Sequence, residues 1–210
     1  INQSVDALEG LFGELLDITR IDSGGVEVQP GPVSIKDLFA RLRLTFEPTA
    51  FEKGLALSFH GEQRFAHTDG LLLERILRNL VSNAIRYSED GGVLVACRPR
   101  GGKLIVQVWD SGIGIGEASL PHIFEEFYQV QSKRPLEPHQ RKGMGLGLAI
   151  VKRLADLLAA PLTVRSRPGH GSVFTLEVPA GREPRDPVPV AASMATRLGI
   201  SLHGRRVVIV

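Results

Sequence analysis

The chain holds a single cysteine, Cys97, among 210 residues. One thiol excludes an internal disulfide and a cysteine-built zinc site, and it fits a reducing compartment. No apolar run is long enough to span a bilayer, and no signal-peptide pattern opens the chain. Charge of one sign is not in excess. The 25 Lys and Arg against 23 Asp and Glu leave a formal net charge of +2, too little for the basic footprint of a nucleic-acid binder. No internal repeat is present. The first residue is Ile1 rather than Met, so the expectation is a fragment of a longer protein. Whether that parent is anchored in a membrane stays open. With 43% hydrophobic and 23% charged residues, the composition is that of a soluble globular chain.

Glycine, by contrast, is plentiful, and it is concentrated where chemistry is expected. Arg141-Lys142-Gly143-Met144-Gly145-Leu146-Gly147-Leu148 runs three alternate glycines into an apolar helical pattern. Such an entry lets backbone N–H groups approach an anion, and the helix N-terminus adds its partial positive charge. Arg141 and Lys142 stand just before it. The spacing is not a Walker A loop, because no Gly-Lys-Ser/Thr follows, and no clear strand leads in as a dinucleotide fingerprint requires. A helix entry built for packing is the alternative.

Along the chain, residues 1–22 carry Ile1, Val5, Leu8, Phe12 and Leu15 at the seam spacing of a helix pair. That stripe either packs on its own domain or belongs to a dimerisation hairpin. Val26–Val28 is a short strand candidate and Gln29–Pro32 a turn. Ser34, with Asp37 three later, predicts a capped helix carrying Leu38, Phe39, Leu42 and Phe46 inward and closed by Gly54. Strands are expected at Leu55–Phe59 and Phe65–Thr68, then a helix from Asp69 to Tyr87. Residues 93–99 and 103–109 read as strands joined by Gly101-Gly102. A short helix is expected around Leu120, Ile123, Phe124 and Phe127, a polar loop over 128–142, a helix over 145–159, and strands near 162–166 and 172–178. Residues 181–190 hold three prolines among charges and read as a linker.

Two further stretches carry chemistry. Asn79 and Asn83 lie four apart on one helix face, and Asn is a poor helix former, so the pair asks for a reason. A neutral amide oxygen suits magnesium already partly neutralised by phosphates. Arg86 could reach a phosphate, and Tyr87 could pack on a base. The alternative is a solvated polar face. Trp109-Asp110-Ser111-Gly112-Ile113-Gly114-Ile115 ends a strand with a carboxylate and opens a glycine loop. Such a carboxylate can accept from the exocyclic amine of adenine, a charged hydrogen bond of roughly 1.5–3 kcal/mol. A turn Asp is the alternative.

In this order and spacing, the stretches resemble the ATP-binding catalytic domain of bacterial sensor histidine kinases, a branch of the gyrase/Hsp90/histidine kinase/MutL superfamily. Asn79–Tyr87 is similar to the family's N box, Asp110–Ile115 to its first glycine box, Ile123–Tyr128 to its F box and Gly143–Leu148 to its second glycine box. Gly169-His170-Gly171-Ser172-Val173-Phe174 resembles its closing Gly-x-Gly-Ser/Thr strand entry, and Leu15–Gly24 the end of its second dimerisation helix. The resemblance covers roughly residues 7–178.

The resemblance implies an α+β fold, a two-layer α/β sandwich with a mixed sheet covered by helices on one face and ATP under a flexible lid. One helix of a dimerisation hairpin (1–25) would precede the ATP-binding domain (26–180). A proline-rich linker (181–201) would follow it, and then Leu202–Val210, either the first strand of a receiver domain or a frayed tail. By the same resemblance, Asn83 is the magnesium ligand and Asn79 lies beside it. Asp110 holds the adenine amine, with Ile115 and Tyr87 on the base. Gly112 and Gly114 let the backbone pass the nucleotide. Arg86, Arg141 and Lys142 meet phosphates, while Gly143, Gly145, Leu146, Gly147 and Leu148 form the phosphate loop. Ser172 completes the pocket. The 128–142 lid is pinned by Phe124 and Phe127 in a hydrophobic wall.

The implied activity is protein-histidine kinase, using ATP and Mg2+, in a cytoplasmic domain of a dimeric parent that passes phosphate to a response regulator or an attached receiver. Gyrase-like ATPases carry Glu where this chain has Asn79, and an amide cannot take a proton from water. This favours phosphoryl transfer over hydrolysis. None of the six histidines is followed by Asp or Glu, as the family's phosphoacceptor is. The acceptor is therefore expected outside this fragment. A non-catalytic nucleotide-binding regulatory module and a gyrase- or MutL-type ATPase are the alternatives.

Overall fold

Apolar residues alternate with polar ones through five segments, and these segments become one sheet. The computed structural model describes residue 16 and residues 18–129 and 145–183. It sets β2 (Ala56–His60), β4 (Gly92–Arg100), β5 (Lys103–Asp110), β7 (Ser172–Pro179) and β6 (Leu162–Ser166) side by side in that order. β2 runs parallel to β4, and every other neighbour is antiparallel. Register aligns Phe59, Val95, Val108, Phe174 and Val164 in a row across all five strands, and all five join the core. The adjacent row, Ser58, Leu94, Trp109, Val173 and Arg165, faces the other way.

Three helices supply the second layer. α1 (Ile35–Glu52) lies on β2, α2 (Gly70–Tyr87) on β4 and β5, and α3 (Gly147–Leu157) against α2. α1 starts where expected, because Ser34 Oγ accepts from Asp37 N at 3.2 Å. α2 is capped by Asp69, whose Oδ1 accepts from Leu71 N at 3.0 Å and Leu72 N at 3.1 Å. Its buried stripe, Leu73, Ile76, Leu77, Leu80, Val81 and Ala84, follows the helical period. Each of the larger side chains contributes about 1.5–3 kcal/mol by leaving water.

The far end of α2 is held from outside. Lys53, just past α1, donates its ammonium to Ile85 O at 2.7 Å, Ser88 O at 3.0 Å and Arg86 O at 3.1 Å. These are C-terminal carbonyls that the helix cannot satisfy alone, and a cation there also complements the helix dipole. Desolvation by burial lowers the Lys53 pKa.

Several expectations change. Val26–Val28 is not a strand. β1 is Gly31–Ser34, which begins inside the expected Gln29–Pro32 turn and runs to the N-cap of α1, and it pairs antiparallel with β3 (Phe65–Thr68) in a separate two-stranded sheet. In so narrow a sheet Pro32 can sit with its missing N–H on an outer edge. Residues 117–127 form turns rather than a short helix. Pro121 has no N–H, so a helical ladder is interrupted there, and separate bonds such as His122 N to Ser119 O replace it. Phe127 is 56% exposed with φ of 60°, outside the hydrophobic wall, whereas Phe124 packs on the core. The expected 145–159 helix is shorter, Gly147–Leu157.

Residues 18–22 are helical, and Gly24 ends that helix with φ of 71°. Ile18 is buried in the core, and Asp22 pairs with Arg153 of α3 at 2.8 Å. The readings of residues 1–15, 130–144 and 184–210 lie outside the described residues. Among them are Arg141, Lys142, Gly143, most of the lid and linker, and the C-terminal strand.

Lys53→Ala is expected to lower the unfolding free energy by about 2 kcal/mol, since three carbonyls lose a charged donor. Urea denaturation checks this. An unchanged midpoint would mean that water replaces the ammonium at no cost.

Candidate functional site

The carboxyl end of β5 delivers Asp110 to the edge of a cavity enclosed by the sheet, α2 and the following loop. The cavity holds about 860 Å³ of empty space, its open mouth included. Asn83, Tyr87 and Asp110 line it, together with Gly114, Ile115, Leu148 and Ser172. Seven sequence-predicted residues thus converge from four separate stretches of chain. Most of the remaining wall is apolar, with Ile123 and Phe174 buried at 4% and 6% exposure. An apolar cleft with a few convergent polar groups is the usual form of a small-molecule site.

Asp110 is held in place by backbone. Its Oδ1 accepts from Gly112 N at 2.9 Å and from Ser172 N at 3.1 Å. Burial pushes its carboxyl pKa above the ordinary value, and hydrogen bonds from the Gly112 and Ser172 amides and the Ser172 side chain oppose that shift. A carboxylate has about four acceptor positions, so capacity remains for a donor arriving in the cavity.

The loop after Asp110 is fixed against two other segments. Ile113 N donates to Tyr87 O at 3.2 Å, and Gly169 N donates to Ile113 O at 2.8 Å. A Cβ at Gly112 would lie 2.5 Å from Tyr87 O, and one at Gly114 would lie 2.1 Å from Arg167 O. Both glycines therefore have a packing reason, close approach to the protein's own backbone. Gly114 also has φ of 68°, which a side chain rarely adopts.

Asn79 is near the cavity without lining it. Its Nδ2 donates to Arg75 O at 3.0 Å. A Cβ at Gly147 would stand 3.1 Å from Asn79 Oδ1 and 3.9 Å from Asn83 Nδ2. The first turn of α3 thus abuts both asparagines, and that helix has no side-chain N-cap. Its N-terminal amides and the two side chains make a neutral polar corner suited to an anion and a hard cation. Gly145 packs on the backbone of Phe127 and Tyr128, and Leu146 is fully buried.

Arg86 and Phe127 are not brought to the cavity. Arg86 lies close enough to Lys53 to depress that ammonium's pKa. Six wall residues went unassigned to the site: Ala84, Ile113, Ile123, Tyr128, Gln129 and Phe174. Tyr128 and Phe174 stand inside stretches already singled out, Ile123–Tyr128 and the Gly-x-Gly-Ser strand entry. The inward alternation of β7 was the available signal for Phe174.

Comparison with known proteins agrees with this geometry. The family described as histidine kinase-, DNA gyrase B- and HSP90-like ATPase matches residues 68–182, more than half of the chain. The chain belongs to that family. Within it, the relatives are sensor kinases. The chain is 35% identical over 184 residues to the aerobic respiration control sensor protein ArcB of Escherichia coli K12, covering 86% of this chain and 23% of ArcB. It is 30% identical over 219 residues to the sensor histidine kinase GacS of Pseudomonas protegens, covering 100% of this chain and 23% of GacS. Among solved structures, full-length ShkA in complex with AMPPNP superposes with a TM-score of 0.76 at 30% identity, over 87% of this chain and 38% of ShkA. The chain is therefore an ATPase domain of the histidine kinase type, and it spans about a quarter of the length of these curated relatives.

Asp110→Asn is expected to preserve or raise the melting temperature at neutral pH. Asparagine keeps an acceptor oxygen for the two amides and removes the buried charge. Because the folded pKa is raised, the wild-type carboxylate weakens the fold above that pKa, and stability returns as pH falls through it. The variant should lack that component. Melting curves from neutral to acid pH test this, and a large loss at neutral pH would contradict it.

Proposed function

We propose that this chain binds Mg·ATP and transfers the γ-phosphoryl group to a histidine carried by a dimerisation helix. The observation that carries the reading is the pairing of two environments across one cavity. Asp110 offers a fixed carboxylate in an apolar cleft at one end, and Asn79 and Asn83 meet the uncapped start of α3 at the other.

Asp110 accepts from the adenine amine, with Ile115 and Tyr87 on the base and Ser172 beside the carboxylate. The amide oxygen of Asn83 is the protein's magnesium ligand. Among the described residues no group of three or more His, Cys, Asp or Glu converges, which fits a metal held mainly through substrate phosphates. When bound, Mg2+ neutralises phosphate charge. Asn79 supports Asn83 and withholds a general base from water. The α3 N-terminus, with Gly145 and Gly147, faces the phosphates, and Gly143, Arg141 and Lys142 are assigned to the same end of the site by sequence. Phosphoryl transfer then depends on positioning and charge neutralisation. ShkA's complex with an ATP analogue supports the choice of nucleotide. Arg86 and Phe127 have no part in this reading.

We assign residues 26–180 to the ATP-binding domain, 1–25 to the end of a dimerisation helix, 181–201 to a linker and 202–210 to the opening strand of a receiver. Partners follow from this: a second copy of the parent, and a response regulator or attached receiver. No helix of the described residues is long and apolar enough to cross a membrane. The site is assigned to the cytoplasm, where ATP is supplied.

Incubation with labelled ATP and a supplied phosphoacceptor dimerisation domain tests the reading. Label should appear on the acceptor histidine, and Asn83→Ala should slow transfer by at least about tenfold. Tight ATP binding without transfer would make the chain a regulatory module. Steady ATP turnover without transfer would make it a gyrase-type ATPase.

A further inference from the structure

We infer that Ser166, on β6 and outside every motif discussed above, is a positioning residue that fixes the adenine-recognising carboxylate relative to the opposite wall of the cleft. The inference rests on the proposed nucleotide site and extends it by one residue.

Ser166 Oγ has three partners. It accepts from Ile115 N at 2.7 Å, and it lies 2.9 Å from Gly171 O and 2.8 Å from Ser172 Oγ. Ile115 and Ser172 both line the cavity, from different segments. Ser172 in turn gives its backbone N–H to Asp110 Oδ1 at 3.1 Å. One hydroxyl therefore joins the glycine loop, the start of β7 and, through Ser172, the Asp110 carboxylate. The rest of this junction is backbone: Arg167 N to Gly171 O at 3.2 Å and Gly169 N to Ile113 O at 2.8 Å. Ser166 contributes the side chain that closes it.

Proton counting makes the residue more than a spacer. A serine hydroxyl has one proton and two acceptor positions. Ile115 N–H takes one acceptor position. The proton can go to Gly171 O, and Ser172's hydroxyl then donates to Ser166. Alternatively the proton goes to Ser172 Oγ, which leaves Ser172's own proton for the cavity side. Ser166 donates to Gly171 O, so the first arrangement meets all three contacts: Ile115 N–H and Ser172 O–H converge on Ser166 Oγ, and Ser172's backbone N–H goes on to the Asp110 carboxylate. Removing the Ser166 hydroxyl breaks this junction, leaves Ile115 N–H unpaired at a half-buried position and frees Ser172 to rotate. None of these changes touches the phosphate end of the site.

The test uses the full chain as wild type, Ser166→Ala and Ser166→Thr. Each is titrated calorimetrically with ATP and with purine riboside 5′-triphosphate, which lacks the 6-amino group and so cannot use Asp110. Wild type should prefer ATP. Ser166→Ala should weaken ATP by about tenfold and the analogue by much less, so that the preference collapses. Ser166→Thr, which keeps the hydroxyl, should restore the preference. Melting temperatures confirm that each variant is folded. A preference unchanged in Ser166→Ala, or equal weakening of both ligands, overturns the inference while leaving the nucleotide site intact. A wild type that binds both ligands equally, or neither, overturns the Asp110 assignment itself and the inference with it.

Discussion

Asp110 Oδ1 receives two backbone N–H groups, one from the loop that follows it and one from a strand that begins 62 residues later. That convergence fixes the geometry of the cleft. Asp110 pairs in register with Val93 of β4 and with Ser172 of β7. A Cβ at Gly171 would lie 1.9 Å from its carbonyl oxygen, so only glycine allows β7 to begin where it does. The carboxylate therefore ties the glycine loop to β7, and in the proposed function it also recognises the base. Its raised pKa shows the tension: burial penalises the charge, and the hydrogen bonds offset part of that penalty.

The second constraint is the orientation of α2. Its apolar stripe packs on β4 and β5, which turns the neighbouring stripe of Asn79, Asn83 and Tyr87 toward α3 and the cavity. Asp69 fixes the start of the helix and Lys53 its end. Tyr87 O accepts from Ile113 N, so the helix end is also tied to the glycine loop. Polar residues with poor helix propensity are tolerated here because tertiary packing dominates propensity. The site is thus a by-product of a well-packed helix presenting its weakest face to a cleft.

Much of this was legible in sequence. The strand alternation, the caps at Ser34 and Asp69 and the stripe through α2 all rest on short-range periodicity, which the structure keeps. Asn83, Tyr87, Asp110, Gly114, Ile115, Leu148 and Ser172 converge as spacing and family resemblance implied. What failed has local causes. Pro121 interrupts a segment whose apolar spacing looked helical, and Phe127 takes a left-handed backbone that turns it outward. Gly31 and Pro32 read as part of a turn by composition but open a strand, because Phe65–Thr68 is there to pair with Gly31–Ser34. Ser166 carried no signal at all. Its role depends on a junction between residues 115, 166 and 172, which only the fold brings together.

In the proposed function the Asp110 cleft selects adenine by its exocyclic amine. Calorimetric titration of the chain with ATP and with GTP, each in magnesium, tests it most directly. ATP should bind saturably and GTP more weakly by at least about tenfold, since guanine presents an acceptor where adenine presents a donor. Equal affinity for the two nucleotides would contradict it.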